Sequence, residues 1–276
     1  MDGNVFDILI LGAGPAGISA ALTAHARGRS VMVLSAEPMA TPLAKAERID
    51  NYPGLPGMSG RDMLSAMLES LAAQDIPLVK GRATGIMPFG GRFMVSAEQD
   101  VYQARTLILA AGAQQGAKPY PGEAELLGRG VSYCATCDGM LYRGRSVAVL
   151  GLGSEGEADR DFLESIGCKV LYFTRAQAKN IEIRGTEKVT ALVSGGKEYP
   201  VDGVFILRDT VAAQALLPQL SMEGGHITVG PDMATSVPGV FAAGDCTGRP
   251  SQIARAVGQG NVAALAADGY IKEHDK

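Results

Sequence analysis

The first thirty-five residues leave this chain few folds to choose from. Val5-Phe6-Asp7-Ile8-Leu9-Ile10-Leu11 is a short apolar and partly β-branched run of the kind that makes a buried parallel strand. Gly12-Ala13-Gly14-Pro15-Ala16-Gly17 follows with no spacer. Ile18 to Arg27 is Ala-rich and helix-prone, and Gly28 would stop that helix. Ser30-Val31-Met32-Val33-Leu34 supplies a second strand, completing a β-α-β unit. In such a turn one glycine makes the bend, one lets a pyrophosphate approach the backbone, and one lets the helix pack on the strand. The helix N-terminus adds N–H groups without partners, which suit an anion. A glycine turn can also be purely structural. Its place between strand and helix, with a second strand behind, favours dinucleotide binding. The acid expected to hold a ribose is Glu37, 25 residues after Gly12 and slightly past the strand. A solvated loop glutamate would look the same, so both readings stand.

A second unit of this design runs from Ser146-Val147-Ala148-Val149-Leu150 through Gly151-Leu152-Gly153-Ser154-Glu155-Gly156 and a helix to about Ile166, then Lys169-Val170-Leu171-Tyr172-Phe173. Two such turns about 140 residues apart predict two related nucleotide-type lobes. Arg61 to Gln74 has helical spacing, with Met63, Leu64, Met67, Leu68 and Leu71 on one side. Phe93-Met94-Val95 and Val101-Tyr102 read as antiparallel strands, and Thr106 to Ala111 as a buried one. Gly203 to Leu207 and Gly239 to Ala243 are strand-like, Met39 to Gly60 is irregular, and Ile253 to about Ile271 is one Ala-rich helix. The 36 glycines in 276 residues, about 13% against a usual ~7%, follow no G-X-Y period, so they serve turns and close backbone approaches.

A net charge of −4 argues against a nucleic-acid binder that works through a broad basic face. No apolar run nears the ~18 residues of a membrane span, and Met1-Asp2-Gly3-Asn4 lacks the basic start of a signal peptide, so a cytoplasmic location is expected.

Four cysteines are too few for a disulfide scaffold. Two of them stand in Cys134-Ala135-Thr136-Cys137-Asp138-Gly139. At this spacing they can close a small, reducible disulfide with one easily ionised thiol. Zinc is the other reading, but Cys168, Cys246, His25, His226 and His274 are too scattered to complete a site, so no metal is expected. Asp138 is placed to shuttle a proton to a leaving thiolate, or serves only as a turn residue before Gly139. Cys168 and Cys246 read as small buried hydrophobes.

GAGPAG at 12–17, DNYPG at 50–54, CATCDG at 134–139 and VFAAGD at 240–245 resemble, in order and spacing, the low-molecular-weight thioredoxin reductase family over most of the chain. The resemblance implies an α/β fold of two FAD/NAD(P)-binding, Rossmann-like lobes, an FAD cofactor and a homodimer. The first lobe would take residues 1–113 and 236–276, and the second lobe, carrying the cysteine pair, 114–235. By the family's pattern Cys137 faces the flavin, Cys134 attacks the partner's disulfide, and Asp138 is the acid–base residue. Gly12, Ala13, Gly14, Pro15, Ala16, Gly17 and Gly112 match FAD-contacting positions. Asn51 matches a flavin-contacting asparagine, Gly244 and Asp245 the second FAD motif, and Gln252 and Ile253 positions beside the flavin. The last helix's N-terminus can stabilise negative charge on a reduced ring.

The second glycine turn departs from the family. Glu155 stands where an NADPH-using member has a small hydroxyl residue touching phosphate, and a carboxylate there repels the ligand. After the next strand, the arginines that grip a 2′-phosphate are reduced to Arg175 and Lys179. Val240 lies only 65 positions after Arg175, fewer than the family's NADPH lobe uses, so a shortened second lobe is expected. These features resemble the ferredoxin-dependent flavin thioredoxin reductases. They imply electrons from ferredoxin, through FAD and the CxxC, to thioredoxin or a similar dithiol protein. A NADPH-dependent reductase with an atypical site, a flavin carrier or sensor without thioredoxin turnover, and a second ligand in the second lobe remain alternatives. Ferredoxins are acidic, so a basic docking face is expected, with Arg27, Arg29, Lys45, Arg48 and Arg61 as candidates.

Overall fold

Apolar runs and glycine turns organise both halves of the molecule. The computed structural model describes residues 5–39, 41–97, 100–112, 120–133, 135–153, 156–208 and 213–275, with Cys137 in its backbone alone. The chain divides into two units, Met1–Gln115 with Ala212–Lys276, and Gly116–Val211.

In the first unit β1 (Val5–Leu11), α1 (Pro15–Ala26) and β2 (Val31–Ser35) form the expected β-α-β unit. α2 (Gly60–Ala72) follows, capped by the Ser59 hydroxyl, which accepts from the Asp62 N–H. Then come β3 (Leu78–Lys80), β4 (Ala83–Phe89), β5 (Arg92–Ala97) and β6 (Asp100–Leu109). The two runs expected around 101 and 106 are a single strand. β6 pairs antiparallel with β5 along its first half and parallel with β1 over most of its length.

The second unit holds β7 (Val131–Ser132), α3 (Ala135–Asp138), β8 (Ser146–Gly151), α4 (Gly156–Ser165) and β9 (Lys169–Thr174). The antiparallel β10 (Glu182–Gly185), β11 (Val189–Ser194) and β12 (Lys197–Pro200) precede β13 (Gly203–Leu207). Its four-stranded parallel sheet runs β7-β13-β8-β9.

The return to the first unit comes at 212, earlier than the expected 236. The reason is packing. α5 (Ala213–Leu216) lies against β4, and the buried Leu216, Leu217 and Leu220 need the cover. β14 (Met222–Glu223) pairs with β15 (His226–Ile227), which packs against the 3-10 turn Asp245–Thr247. Ala234 bridges Phe241 in β16 (Val240–Ala242). β16 completes the sheet beside β6, and α6 (Ile253–His274) closes the unit.

α1 and α6 pack through small residues. Ala16, Ala20, Ala21 and Ala24 meet the α6 row Ala256, Gly260, Ala263, Ala264 and Ala267 in one buried cluster. A Cβ on Gly260 would stand 2.1 Å from the Ala16 carbonyl oxygen, so only glycine lets the helices come this close. At the far end of the pair, Asp268, its side chain 3% exposed, accepts from Arg27 (3.1 Å), Arg29 (2.7 Å) and Lys272 (2.8 Å). Burial pushes its carboxyl up, but the three cations outweigh this and hold it down at about 2, against 3.8. A depressed carboxylate stabilises the fold above its unfolded value and loses that contribution as pH falls through the folded one. Asp268→Asn is expected to cost about 2 kcal/mol at pH 7, after discounting the half-exposed Arg27 and Lys272. Thermal melts should show the gap to the parent protein closing between pH 4 and pH 2.

Candidate active site

The three glycines of the first turn do three different jobs. Gly12 has φ +114°, and a Cβ there would stand 2.3 Å from the Ala110 carbonyl oxygen. Its N–H donates to the Leu34 carbonyl at 2.9 Å, tying the turn to β2. A Cβ on Gly17 would lie 1.9 Å from the Gly12 carbonyl oxygen, so this glycine seats α1 against the end of β1. A Cβ on Gly14 would meet nothing within 4 Å. Gly14 thus faces open space before the N-terminus of α1, which has no side-chain cap and no acid in its first turn. The first helical hydrogen bond runs from the Ile18 N–H to the Gly14 carbonyl, which leaves the Ala16 and Gly17 N–H groups for an anion. The open space at Gly14 and the uncapped start of α1 fit the pyrophosphate of FAD. Glu37 is exposed, two residues beyond β2.

The later flavin-motif residues converge on the same strand ends. The Ala243 N–H donates to the Leu109 carbonyl at 2.9 Å. Gly244 has φ +84°, and its N–H donates to Gln259 Oε1 at 2.9 Å. A Cβ on Gly244 would come within 2.9 Å of the Ala16 Cβ, placing Asp245 beside the first glycine turn. Gly112, at φ +73°, follows β6 with open space around it. Asn51, 201 residues away in sequence, donates from Nδ2 to Gln252 Oε1 at 2.9 Å. Gln252 is the N-cap of α6, yet its side chain serves Asn51 and caps no helix N–H, so the N-terminus beside Ile253 keeps its donors.

In the second unit Cys134 lies outside the described residues, and Cys137 lies within α3. Asp138 Oδ2 accepts from the Ser132 hydroxyl at 2.7 Å, which ties the acid to β7. Cys168 and Cys246 are buried and free. Burial pushes both thiols up, Cys246 to about 12, and each sulfur lies against backbone carbonyls, so neither is a nucleophile. Among the described residues no group of three or more His, Cys, Asp or Glu could hold a metal ion, and no helix is long and apolar enough to cross a membrane.

The carboxyl ends of β7, β13, β8 and β9 form one edge, where a lobe of this architecture takes its nucleotide. Ser154 and Glu155 lie outside the described residues. The chain's own groups fill much of the rest. The Leu152 and Gly153 N–H groups both donate to the Leu207 carbonyl, each at 2.8 Å. Arg175, expected to meet a phosphate, donates to the Leu152 carbonyl instead. The Tyr172 hydroxyl would stand 2.1 Å from a Cβ on Gly151, so the ring occupies the space against that glycine. Glu157 and Asp159 put carboxylates in the first turn of α4. The expected basic face is thinner than its residues promised. Arg27 and Arg29 are committed to Asp268 and Arg48 to Asp50, while Lys45 and Arg61 stay exposed.

Sequence reasoning missed a buried cluster on the same edge. Glu123, on the turn before β7, joins Tyr133, directly before Cys134, to Arg208, directly after β13. Glu123 and Arg208 are 85 residues apart, and nothing local marks either as a partner.

Residues 6–178 and 163–260 match the family model described as pyridine nucleotide-disulphide oxidoreductase. A thioredoxin reductase from Aquifex aeolicus is 32% identical, with 99% of this chain and 95% of the relative covered. A solved ferredoxin-flavin thioredoxin reductase from Clostridium acetobutylicum superposes with a TM-score of 0.89 at 37% identity, covering 99% of both chains. A solved thioredoxin reductase from Gloeobacter violaceus gives a TM-score of 0.77 at 31% identity, covering 98% of this chain and 95% of that one. The chain therefore belongs to the pyridine nucleotide-disulphide oxidoreductases and, among them, to the low-molecular-weight thioredoxin reductases, which are FAD-binding flavoproteins.

Proposed function

We propose that this protein is a thioredoxin reductase that draws its electrons from ferredoxin rather than from a pyridine nucleotide. The observation that carries the reading is the second unit's strand-end edge, where Arg175, Tyr172 and the Leu207 carbonyl take up groups a nucleotide would need. The carboxylates of Glu157 and Asp159 would also repel a pyrophosphate at α4. The likeness to the Clostridium enzyme over 99% of both chains points the same way.

In this reading Gly12, Ala13, Gly14, Pro15, Ala16 and Gly17 hold the FAD pyrophosphate, with Glu37 on the ribose and Gly112, Gly244 and Asp245 along the adjoining chain. Asn51, Gln252 and Ile253 border the ring, and the α6 N-terminus favours negative charge there. FAD, when bound, supplies the conversion of single electrons into a pair. By the family's pattern Cys137 is the flavin-side thiol of the pair, and Cys134, as thiolate, attacks a disulfide sulfur of thioredoxin or a similar dithiol protein. Cys137 then displaces the reduced partner. Asp138, anchored by Ser132, moves the proton that the thiol pair gains or loses. Met140 and Leu141, 57% and 70% exposed, offer an apolar edge directly after CATCDG for a partner protein. The enzyme works as a homodimer in the cytoplasm. Titration calorimetry of the FAD-loaded protein with NADPH should register no binding at millimolar nucleotide. Micromolar binding would overturn the donor assignment and favour an NADPH enzyme.

A further inference from the structure

The buried cluster on the second unit's edge has a cost that calls for a use. The Glu123 carboxylate is 2% exposed as a residue and accepts four hydrogen bonds. They come from the Tyr120 N–H (2.8 Å), the Tyr133 hydroxyl (3.0 Å), Arg208 Nη1 (2.7 Å) and Arg208 Nη2 (2.9 Å). The guanidinium also lies over the Tyr120 ring, 5.1 Å from its centre. Burial and the neighbouring carboxylate keep the Tyr133 phenol protonated, so it stays a donor. A buried ion pair adds little net stability compared with well-packed apolar side chains, because two charges have lost their water. What this pair adds is fixed geometry: a bidentate fork and a fully used carboxylate admit one arrangement. It joins the turn before β7, the end of β7 and the end of β13, and its outermost arm is the residue preceding Cys134.

We propose that Glu123, Arg208 and Tyr133 are positioning residues for the redox segment. They hold Tyr133, the residue directly before Cys134, to the turn before β7 and to the end of β13, and this constraint on the chain speeds attack on the partner's disulfide and weights the segment's dithiol form against its disulfide form. Ser132, next in the chain, carries the same constraint to Asp138. The proposal rests on the reading that Cys134 and Cys137 are the redox pair.

Tyr133→Phe is the test, because it removes one hydroxyl and leaves the Glu123–Arg208 pair in place. Full-length, FAD-loaded protein is reduced with dithionite, which makes the readout independent of the natural donor, and mixed with oxidised thioredoxin. The expected result is a fall in kcat of about tenfold with KM little changed, and an unaltered flavin spectrum. Equilibration with glutathione should show the dithiol–disulfide constant moved about tenfold, which is about 30 mV for a two-electron couple. Arg208→Lys, which keeps the charge and loses the fork, should fall at least as far as Tyr133→Phe. A Tyr133→Phe protein with parental kcat and parental glutathione equilibrium overturns the proposal. Cys134→Ser, run in parallel, separates the two readings. If it still reduces thioredoxin, the cysteine assignment fails. If it is inactive while Tyr133→Phe matches the parent, the positioning role alone fails.

Discussion

Gly17→Ala protein is expected to purify without yellow colour and with its first unit strongly destabilised, whereas Gly14→Ala is expected to fold and lose only its grip on FAD. The two substitutions add the same methyl group three residues apart. At Gly17 it would stand 1.9 Å from the Gly12 carbonyl oxygen and 3.0 Å from that carbonyl carbon, backbone atoms that have nowhere to go. Gly12 cannot yield, because it is itself held at φ +114° against the Ala110 carbonyl. Either α1 lifts from β1 or the ends of β1 and β6 part, at about 3 kcal/mol or more. At Gly14 the methyl meets no protein atom and leaves the apoprotein intact. It stands in the open space at the start of α1, the proposed pyrophosphate site. Losing two charge-assisted hydrogen bonds there costs roughly 3 kcal/mol, or about a hundredfold in FAD affinity. Circular dichroism melts and FAD titration of apoprotein read both effects. Parental FAD affinity in Gly14→Ala would remove the first glycine turn from the binding site.

Cys134→Ser carries the other large effect. A serine hydroxyl stays protonated at neutral pH and cannot attack a disulfide, so thioredoxin reduction should fall at least about a thousandfold. The FAD spectrum should persist, because the residues proposed to hold FAD lie in the first unit. Cys168→Ala is the control. Its thiol is buried among carbonyls, away from any nucleophilic role, and turnover per folded molecule should match the parent. Thioredoxin thiols are counted with a chromogenic disulfide after anaerobic mixing with pre-reduced enzyme. Turnover by Cys134→Ser would reassign the attacking thiol.

The first unit was legible because its signals are local. An apolar strand, a glycine turn and an Ala-rich helix follow one another without interruption, and each names its neighbour. CATCDG was legible for the same reason. β6 was harder: its polar middle, Gln103 and Arg105, splits one strand into two apolar fragments, since only its second half is buried on both faces. The small sheet of β10, β11 and β12 went unread although it carried a signal. Gly195 and Gly196, at φ +60° and +82°, make a two-residue hairpin turn, as do Gly90 and Gly91 between β4 and β5. No local pattern could have revealed Glu123 with Arg208, or Asp268 with Arg27 and Arg29. Those pairs exist only because sheet order and helix packing bring distant segments together. Arg27 and Arg29 show the cost of reading charge from sequence alone, since both are paired with the buried Asp268.

The second unit's edge carries the central claim, that its own side chains have taken the place of a nucleotide. The direct measurement is anaerobic reduction of the bound flavin with NADPH, NADH and reduced ferredoxin in parallel, followed by thiol counting on added thioredoxin. Reduced ferredoxin should bleach the flavin and yield thioredoxin thiols, while both nucleotides leave the spectrum unchanged. Rapid bleaching by NADPH or NADH, with thioredoxin thiols appearing in step, would contradict the account.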